Sequence, residues 1–394
     1  MQSHLTFISM AAFIVLFCGC SLPKRLDSVP EKERMQTVIP GMPAVRFWVD
    51  TDIEAMTREG KASLERERSY LAKQGKEGAL PPAYFLAISG GGDNGAFAAG
   101  LLNGWTEAGN RPQFNVVTGI STGALIAPFA FLGPDYDYVI KKVYTGVTSK
   151  DIFNPRSILA VLFNDGMADT RPLWKLLGQY VNKELLRRVA EEHDKGRILL
   201  IATVNLDVLR PAIWNMGAIA SSKDPKALDL FRSVMIASAS IPRMFPPVMI
   251  DVESNGESYQ EMHVDGGTAA QVFVYPPGIN ISRFGPVRER KLYIIRNARL
   301  DPDWATVERR TVNIGTRAVS GLIQSQGIGD LYMIYAVTQR DGIDYNLAYI
   351  GKEFDVEHRE EFDTNYMRKL YDYGYQLAIK GYPWQKFPPG FAGP

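Results

Sequence analysis

Two glycine-rich turns, each placed between an apolar segment and a helical pattern, constrain the fold of this chain most. The first follows residues 84–89 and reads GGGDNG; the second follows residues 115–119 and places Ser121 between Gly119 and Gly123. An apolar run, a tight turn and a helix in succession are typical of α/β proteins. The first turn offers backbone N–H groups at a helix N-terminus, where an anion can bind. The second is the pattern of a nucleophile elbow, so the two turns together indicate acyl transfer.

Strand and helix patterns alternate until about residue 300 and predict the fold class. Predicted strands lie at 84–89, 115–119, 198–205, 247–252, 260–264 and 291–296, and predicted helices at 95–108, 122–132, 172–193 and 227–238. This alternation predicts an α/β fold of three layers, in which helices cover both faces of a mostly parallel central sheet. Helical patterns at 305–340 and 359–380 predict further C-terminal helices packed on the same domain.

The patterns also predict how the chain is divided. The expected parts are a signal peptide of the lipoprotein type at 1–19, a tether with a charged helix at 20–80, a catalytic domain at 81–300 and a C-terminal helical extension at 301–394. Prolines are frequent between residues 21 and 45, which is typical of a linker. The helix expected at 52–75 is rich in charge, so we expect it to be solvated and to lie outside the core.

The N-terminal segment has the pattern of a bacterial lipoprotein signal. Residues 5–17 are uncharged and mostly apolar, and this run is too short for a typical transmembrane helix. Gly19 and Cys20 follow it and resemble a lipobox, which implies cleavage after Gly19 and acylation of Cys20. Ser21 after the cysteine resembles the pattern for sorting to the outer membrane. We therefore expect a lipid-anchored protein of the cell envelope, with a simple N-terminal anchor helix as the alternative.

Charge and cysteine content narrow the classes of function. The formal net charge is +1, which gives no basic footprint for nucleic acid. Both cysteines, Cys18 and Cys20, lie in the N-terminal segment, so the rest of the chain can form neither a disulfide framework nor a cysteine metal site. We expect no cofactor and no metal, and the sequence indicates no particular protein partner.

A dinucleotide site is the rival interpretation of the first turn. Gly90, Gly92 and Gly95 fit the pattern G-x-G-x-x-G. That fold needs an acidic residue about 20 positions further on, at the end of the second strand, to hold a ribose. The nearest acid, Glu107, lies instead in the intervening helix. An oxyanion hole explains these glycines better, because a backbone without Cβ atoms can approach a reacting carbonyl.

A serine nucleophile needs a base, and the sequence offers more than one. Asp265 ends an alternating strand and is followed by Gly266 and Gly267, a position from which a carboxylate can reach a serine hydroxyl. The same residues also fit a plain Asp-Gly turn. His358 is the histidine that follows Asp265, which gives the order of serine, acid and histidine seen in α/β-hydrolases.

Four blocks of sequence, in the same order, resemble the patatin-like phospholipase family over roughly residues 82–300. They are residues 89–97 (SGGGDNGAF), 119–124 (GISTGA), 237–242 (ASASIP) with 245–247 (FPP), and 265–267 (DGG). The first block is similar to the family's oxyanion block, the second to its nucleophile elbow, and the last to the block that holds its catalytic aspartate. The resemblance implies the patatin-like fold and hydrolysis of lipid esters, of the phospholipase A or lysophospholipase type.

The resemblance also implies roles for single residues. Ser121 would attack the ester carbonyl, and Asp265 would take its proton and later activate water, with no histidine involved. The implied oxyanion hole consists of the backbone of Gly90, Gly91, Gly92 and Asp93. The family usually has Arg or Lys where this chain has Asn94, and a cation there would help to bind a phosphate. The neutral Asn94 therefore leaves neutral esters open beside phospholipids.

Two other functions stay open at this stage. One is a Ser–Asp–His esterase of the α/β-hydrolase type that uses His358. The other is a non-catalytic lipid-binding lipoprotein of the envelope; the presence of every expected catalytic residue type argues against it, and Asn94 argues slightly for it. The expected partner is a membrane lipid, as the substrate.

Overall fold

The structure, a computed structural model, describes residues 24–157, 164–301 and 304–391. The predicted signal peptide and the predicted acylation site, Cys20, lie outside these ranges. Within them, no helix combines the length and the apolar character that crossing a bilayer requires.

The described ranges contain one large mixed sheet and a small two-stranded ribbon. The strands are β1 (Arg46–Trp48), β2 (Ala83–Ile88), β3 (Val116–Gly119), β4 (Asn154–Pro155), β5 (Ala168–Asp169), β6 (Ile198–Asn205), β7 (Arg210–Asn215), β8 (Val248–Ser254), β9 (Glu257–Asp265), β10 (Arg290–Arg296) and β11 (Asp344–Tyr349). The order across the large sheet is β1-β7-β6-β3-β2-β10-β11, and β9 joins it through β6 and carries β8. The central pairs from β6 to β11 are parallel, whereas β1, β7, β8 and β9 pair antiparallel.

The helices lie between these strands. They are α1 (Ile53–Ala72), α2 (Gly95–Glu107), α3 (Thr122–Leu132), α4 (Asp137–Gly146), α5 (Ser149–Ile152), α6 (Arg171–Tyr180), α7 (Lys183–Asp194), α8 (Met216–Ser221), α9 (Ala227–Ser238), α10 (Ile281–Phe284), α11 (Thr311–Asp341) and α12 (Thr364–Ile379). The predicted C-terminal helices correspond to α11 and α12, and β11 between them adds an edge strand that the sequence patterns did not predict.

Helices cover both faces of the sheet, because neighbouring residues of a strand point to opposite sides. On β2, Leu86 and Ile88 pack in the core cluster shared with α2, α3 and α12. Phe85 and Ala87 pack in another cluster, with Leu331 of α11. The predicted three-layer α/β fold with a mostly parallel sheet is confirmed.

The arrangement around β6 places the end of β9 beside the end of β3. β7 pairs with β6 along Leu200–Asn205, which occupies one edge of that strand. On the other edge, β3 pairs with residues 198–201 and ends there, and β9 pairs with residues 203–205. Asp265, opposite Thr203, therefore lies just beyond the carboxyl end of β3, where the second glycine turn begins.

The segment before β2 belongs to the fold and is not a solvated appendage. The charged helix is present as α1, but its Ser63 and Glu67 are buried. Ser63 donates a hydrogen bond to the carbonyl of Gly196, and Glu67 pairs with Arg288 at 2.8 Å. The expectation that this helix lies outside the core is wrong, because the two buried polar side chains find partners on the sheet side while the other charges face solvent.

The long helix predicted at 172–193 is divided into α6 and α7. Asn182 separates them, and its side-chain oxygen accepts hydrogen bonds from the N–H groups of Glu184 and Leu185. An asparagine in this position is a preferred N-cap, so α7 starts anew at Lys183.

Close helix packing fixes the C-terminal extension onto the first glycine turn. A Cβ atom added to Gly100 of α2 would lie 1.9 Å from the carbonyl oxygen of Tyr371 in α12, and one added to Gly104 would lie 2.4 Å from that of Tyr375. Conversely, a Cβ atom at Gly374 would lie 2.6 Å from the carbonyl oxygen of Phe97. Backbone contact of this kind holds α12 against the helix that follows the turn.

We predict that Gly100→Ala destabilises the protein by about 1–3 kcal/mol, because α12 must move away to admit the methyl group. Gly329→Ala is the matched control: Gly329 lies in a helix with open space around its Cβ position, so this change should be neutral or stabilise by up to roughly 1 kcal/mol. Chemical denaturation of both variants measures the difference. Equal stability of the two variants would contradict the close contact.

Candidate active site

The second glycine turn holds Ser121 in a strained backbone conformation. Its φ is 55°, in the left-handed region that residues other than glycine rarely adopt. Strain of this kind costs of the order of 1–3 kcal/mol and occurs preferentially at functional sites. The flanking glycines are needed, since a Cβ atom at Gly119 would lie 2.4 Å from the Gly123 carbonyl oxygen and one at Gly123 would lie 2.2 Å from that of Ile88. The geometry is that of a nucleophile elbow between β3 and α3.

A buried serine supports this turn from the adjacent helix. The N–H of Ser121 donates to the Ser238 hydroxyl at 3.0 Å, and that hydroxyl donates to the carbonyl of Ala202 on β6 at 2.7 Å. Ser238 is fully buried at the end of α9. The sequence placed it in a recognisable block but gave no indication of this contact.

Asp265 lies beside Ser121, as the strand arrangement requires. Its backbone N–H donates to the carbonyl of Ser240, and its Oδ1 accepts a hydrogen bond from the Gly267 N–H at 2.7 Å. Burial raises the pKa of Asp265 to about 7, although the hydrogen bonds from the Ser121 hydroxyl and the Gly267 N–H act in the opposite direction. A carboxylate with a pKa near neutrality is suited to accept a proton from a neighbouring hydroxyl.

The first glycine turn packs against the same serine. A Cβ atom at Gly90 would lie 3.2 Å from the Cβ of Ser121. Gly91 and Gly92 have φ values of 150° and 58°, and a Cβ atom at Gly91 would lie 2.3 Å from the carbonyl oxygen of Asn297. Among the described residues, the N–H groups of Gly91 and Gly92 have no hydrogen-bond partner. These two donors are therefore available to an anion near Ser121.

The C-terminal extension reaches the next residue of this turn. Asp93 is buried, and its Oδ2 accepts hydrogen bonds from His358 Nε2 at 2.7 Å and from the Phe362 N–H at 2.9 Å. Asn94 Oδ1 accepts from the Tyr366 hydroxyl at 2.6 Å. The position that carries a cation in the family pattern is thus occupied by an amide bound to α12.

The candidate histidine is held away from the proposed dyad. His358 donates through Nε2 to Asp93, and among the described residues no hydrogen bond joins it to Ser121 or Asp265. Ligand-type atoms of Asp93, His358 and Glu361 lie within 4.8 Å of one another, so this group has a spacing that could hold a metal ion. Asp93 already accepts two hydrogen bonds there, which gives these residues a structural explanation without a metal.

His263, on the strand that carries Asp265, belongs to a separate buried network. Its Nε2 lies 3.0 Å from Glu261, and its Nδ1 lies 2.9 Å from the Thr203 hydroxyl. Burial lowers the pKa of His263, and Glu261 and Arg46 form an ion pair beside it. These contacts tie β9 to β6 and β1, and they describe a satisfied core histidine.

An apolar cavity of about 60 Å³ opens at Ser121. Leu125, Val143, Leu173 and Leu176 line its inner part, and Phe362 lines the side of the C-terminal extension. Phe362 has a φ of 61°, and its ring packs against Phe153 with the ring centroids 6.1 Å apart. The sequence analysis missed Phe362, because only the folded chain brings it to the serine.

The family comparison agrees with this geometry. A family model described as patatin-like phospholipase matches residues 86–276, which include Ser121, Asp265 and both glycine turns. A comparison with curated proteins gave no match.

Similar solved structures cover most of the chain at low identity. VipD from Legionella pneumophila is 11% identical over 77% of this chain and 67% of its own, with a TM-score of 0.38. Human GIVD cytosolic phospholipase A2 is 10% identical over 70% of this chain and 51% of its own, with a TM-score of 0.29. The type III effector protein ExoU is 15% identical over 76% of this chain and 54% of its own, with a TM-score of 0.20. The matched regions span about half to two thirds of these proteins, and at such TM-scores we draw nothing about activity from them.

The residues that match the family model include the elbow at Ser121 and the aspartate at the end of β9. Residues 86–276 of this chain therefore form a patatin-like phospholipase domain.

Proposed function

We propose that this protein is a lipid acyl hydrolase that works through a dyad of Ser121 and Asp265. One observation carries the proposal: the Ser121 side chain interacts with the buried carboxylate of Asp265, whose pKa burial raises to about 7. An ordinary aspartate is too weak a base for a serine hydroxyl, and the burial of Asp265 corrects this mismatch. The patatin-like domain supports a lipid ester as the substrate.

The reaction proceeds in two halves. The Ser121 oxygen attacks the ester carbonyl carbon while its proton passes to Asp265, and the carbonyl oxygen becomes an oxyanion. The N–H groups of Gly91 and Gly92, in the turn that also includes Gly90 and Asp93, would donate to that oxygen. Collapse of the intermediate expels the alcohol, which takes the proton from Asp265. Water then attacks the acyl-serine, and Asp265 accepts a proton from it and returns one to Ser121, which releases the fatty acid.

The apolar cavity provides space for an acyl chain. Beyond it lies a second apolar cavity of about 40 Å³ that reaches Phe129 and Tyr180. Both cavities are lined by Leu125, Val143, Tyr144, Leu173 and Leu176. An acyl chain attached at Ser121 could therefore extend between α3, α4 and α6 towards the second cavity. This path favours long chains over short ones.

The residues around the expected ester position do not select one class of substrate headgroup. Asn94 is neutral and bound to Tyr366, and the acidic Asp93 is bound to His358. No strong cation comes from the turn itself, so we propose phospholipids or lysophospholipids as substrates with neutral esters as the competing class. Anchoring through acylated Cys20, in the outer membrane of a bacterial envelope, belongs to this proposal and would hold the enzyme beside its substrate.

The two alternative functions find less support. In a Ser–Asp–His esterase, His358 would have to contact Ser121 or Asp265, whereas its Nε2 lies 2.7 Å from Asp93. In a non-catalytic lipid-binding protein, neither the strained elbow nor the burial of Asp265 would serve a purpose. Variants of Ser121, Asp265 and His358 distinguish both alternatives from the dyad.

We predict that the chain from residue 22 releases fatty acid from vesicles that contain phospholipid and neutral ester. Ser121→Ala and Asp265→Asn should each reduce the rate by about three orders of magnitude or more, because nucleophile and base act as a unit. His358→Ala should retain activity within about tenfold. Product analysis by mass spectrometry measures the rates and names the ester class.

Three outcomes would count against this assignment. Loss of activity in His358→Ala to the level of Ser121→Ala would replace the dyad by the triad. Full activity in Asp265→Asn would place the base elsewhere. Folded protein that neither turns over nor reacts at Ser121 with a fluorophosphonate probe would favour the non-catalytic lipoprotein.

The raised pKa of Asp265 predicts the pH dependence of the reaction. The base must be deprotonated, so kcat/KM on a neutral ester should fall about tenfold per pH unit below the pKa of about 7 and level off above it. An initial-rate profile from pH 5 to 9 tests this, with protein stability checked at each pH. A flat profile down to pH 5 would mean that the base is an ordinary, solvated carboxylate.

We predict that Leu176→Phe shortens the preferred acyl chain. The larger side chain would fill the passage between the two cavities, so kcat/KM should fall about tenfold or more for palmitoyl esters and change little for butyryl esters. Leu209→Phe is the matched control, since Leu209 is exposed and lines neither cavity. Equal losses on both esters would exclude this passage as the acyl site.

A further inference from the structure

The first half of α11 projects from the body of the protein with an apolar face in solvent. Leu331 and Ile334, in the second half of the helix, pack in the core. From Thr311 to Ser325 the helix buries none of its residues, and Val312 and Leu322 are 71% and 70% exposed. At 1.5 Å per residue this exposed part is roughly 22 Å long.

Most of the exposed apolar residues lie on one side of the helix, whereas Ile314, which is 52% exposed, lies away from that side. At 3.6 residues per turn, Val312, Val319 and Ile323 lie close to a single line, and Leu322 adjoins it. Asn313, Ser320 and Gln324 lie about 100° around the helix from this line. This apolar line runs on from the side that the second half of the helix buries, so the face continues past the edge of the core.

The exposed part of the helix carries no acidic residue, although acidic residues precede it. Residues 309–329 contain no aspartate or glutamate and carry Arg309, Arg310 and Arg317. Asp301, Asp303 and Glu308 come before them, and Glu308 pairs with Arg310 at 3.4 Å. Trp304, which is 86% exposed, lies just before the helix. An apolar stripe on an exposed helix, with a tryptophan and arginines just before it, is the combination that places a helix in the surface of an anionic bilayer.

The base of the exposed part is connected to the catalytic loop. The side chain of Gln271 donates to the Gly267 carbonyl at 2.7 Å and to Gln326 at 3.3 Å. Asp330 accepts hydrogen bonds from the backbone N–H groups of Gln271 and Val272. The helix therefore leaves the molecule beside the loop that follows Asp265.

We infer that the first half of α11 binds in the plane of an anionic lipid surface and holds the Ser121 site against it. The apolar line enters the interface, and the arginines that precede the helix contact the lipid phosphates. The role in presenting substrate rests on the proposed function, whereas the binding itself does not.

The test measures binding separately from catalysis. The chain from residue 22 keeps every described helix and strand, and Ser121→Ala removes turnover. In this background, co-sedimentation with phosphatidylglycerol–phosphatidylcholine vesicles should show binding that Leu322→Asp with Ile323→Asp weakens at least tenfold. Added NaCl should weaken binding further, because the arginine contacts are screened. Val287→Asp is the matched control: Val287 is fully exposed and lies outside α11, so its binding should match that of the parent.

A soluble ester distinguishes failure of this inference from failure of the proposed function. In the active protein, the double variant should hydrolyse a butyryl ester at the parent rate and lose at least tenfold on vesicle substrate. Vesicle binding that the double variant leaves unchanged would overturn the inference, as would the absence of binding. So would a parent dimer in sedimentation that the double variant dissociates while vesicle binding persists, because a second copy would then cover the face. Absence of soluble-ester hydrolysis in the parent would overturn the proposed function and leave the binding result standing.

Discussion

The contact between Ser121 and the buried carboxylate of Asp265 is the interaction on which the rest of the site depends. It requires three strands to meet in one arrangement: β3 must end early, β6 must continue past it, and β9 must take the vacated edge. The burial that this arrangement produces raises the pKa of Asp265 to about 7. A charged carboxylate is destabilising in such a place, so the folded state loses stability at neutral pH. The same burial makes Asp265 a stronger base than an exposed aspartate.

The C-terminal extension completes the site that the matched domain begins. Residues 86–276 contain the serine, the aspartate and the glycine turns, yet Asp93 in the first turn is bound by His358 and by the backbone of Phe362. The aromatic ring of Phe362 then lines one side of the apolar cavity at Ser121. Close packing at Gly100 holds α12 in register with this turn. The extension therefore contacts the turn directly and shapes the apolar cavity.

Local sequence signals predicted the elbow and the glycine turn well, because strain at Ser121 and the flanking glycines are properties of a few adjacent residues. The same kind of signal predicted Asp265 at the end of a strand, because strand alternation precedes it and two glycines follow it. This worked even though its partner, Ser121, is 144 positions away. The contact of His358 with Asp93 joins residues 265 positions apart and leaves no periodic trace. The burial of α1 was mispredicted for a related reason: Ser63 and Glu67 are polar, and their partners, Gly196 and Arg288, come from distant loops.

The helix α11 differs from the core elements because its apolar pattern is not matched by burial. On β2 the two agree, since alternate residues pack in two clusters on opposite faces of the sheet. In α11 the periodicity continues for about four turns beyond the point where burial stops. An exposed apolar line weakens solubility and contributes nothing to folding, so its persistence requires an environment that covers it. Since the base of the helix contacts the loop of Asp265 through Gln271, a lipid surface that covered the line would also lie close to Ser121.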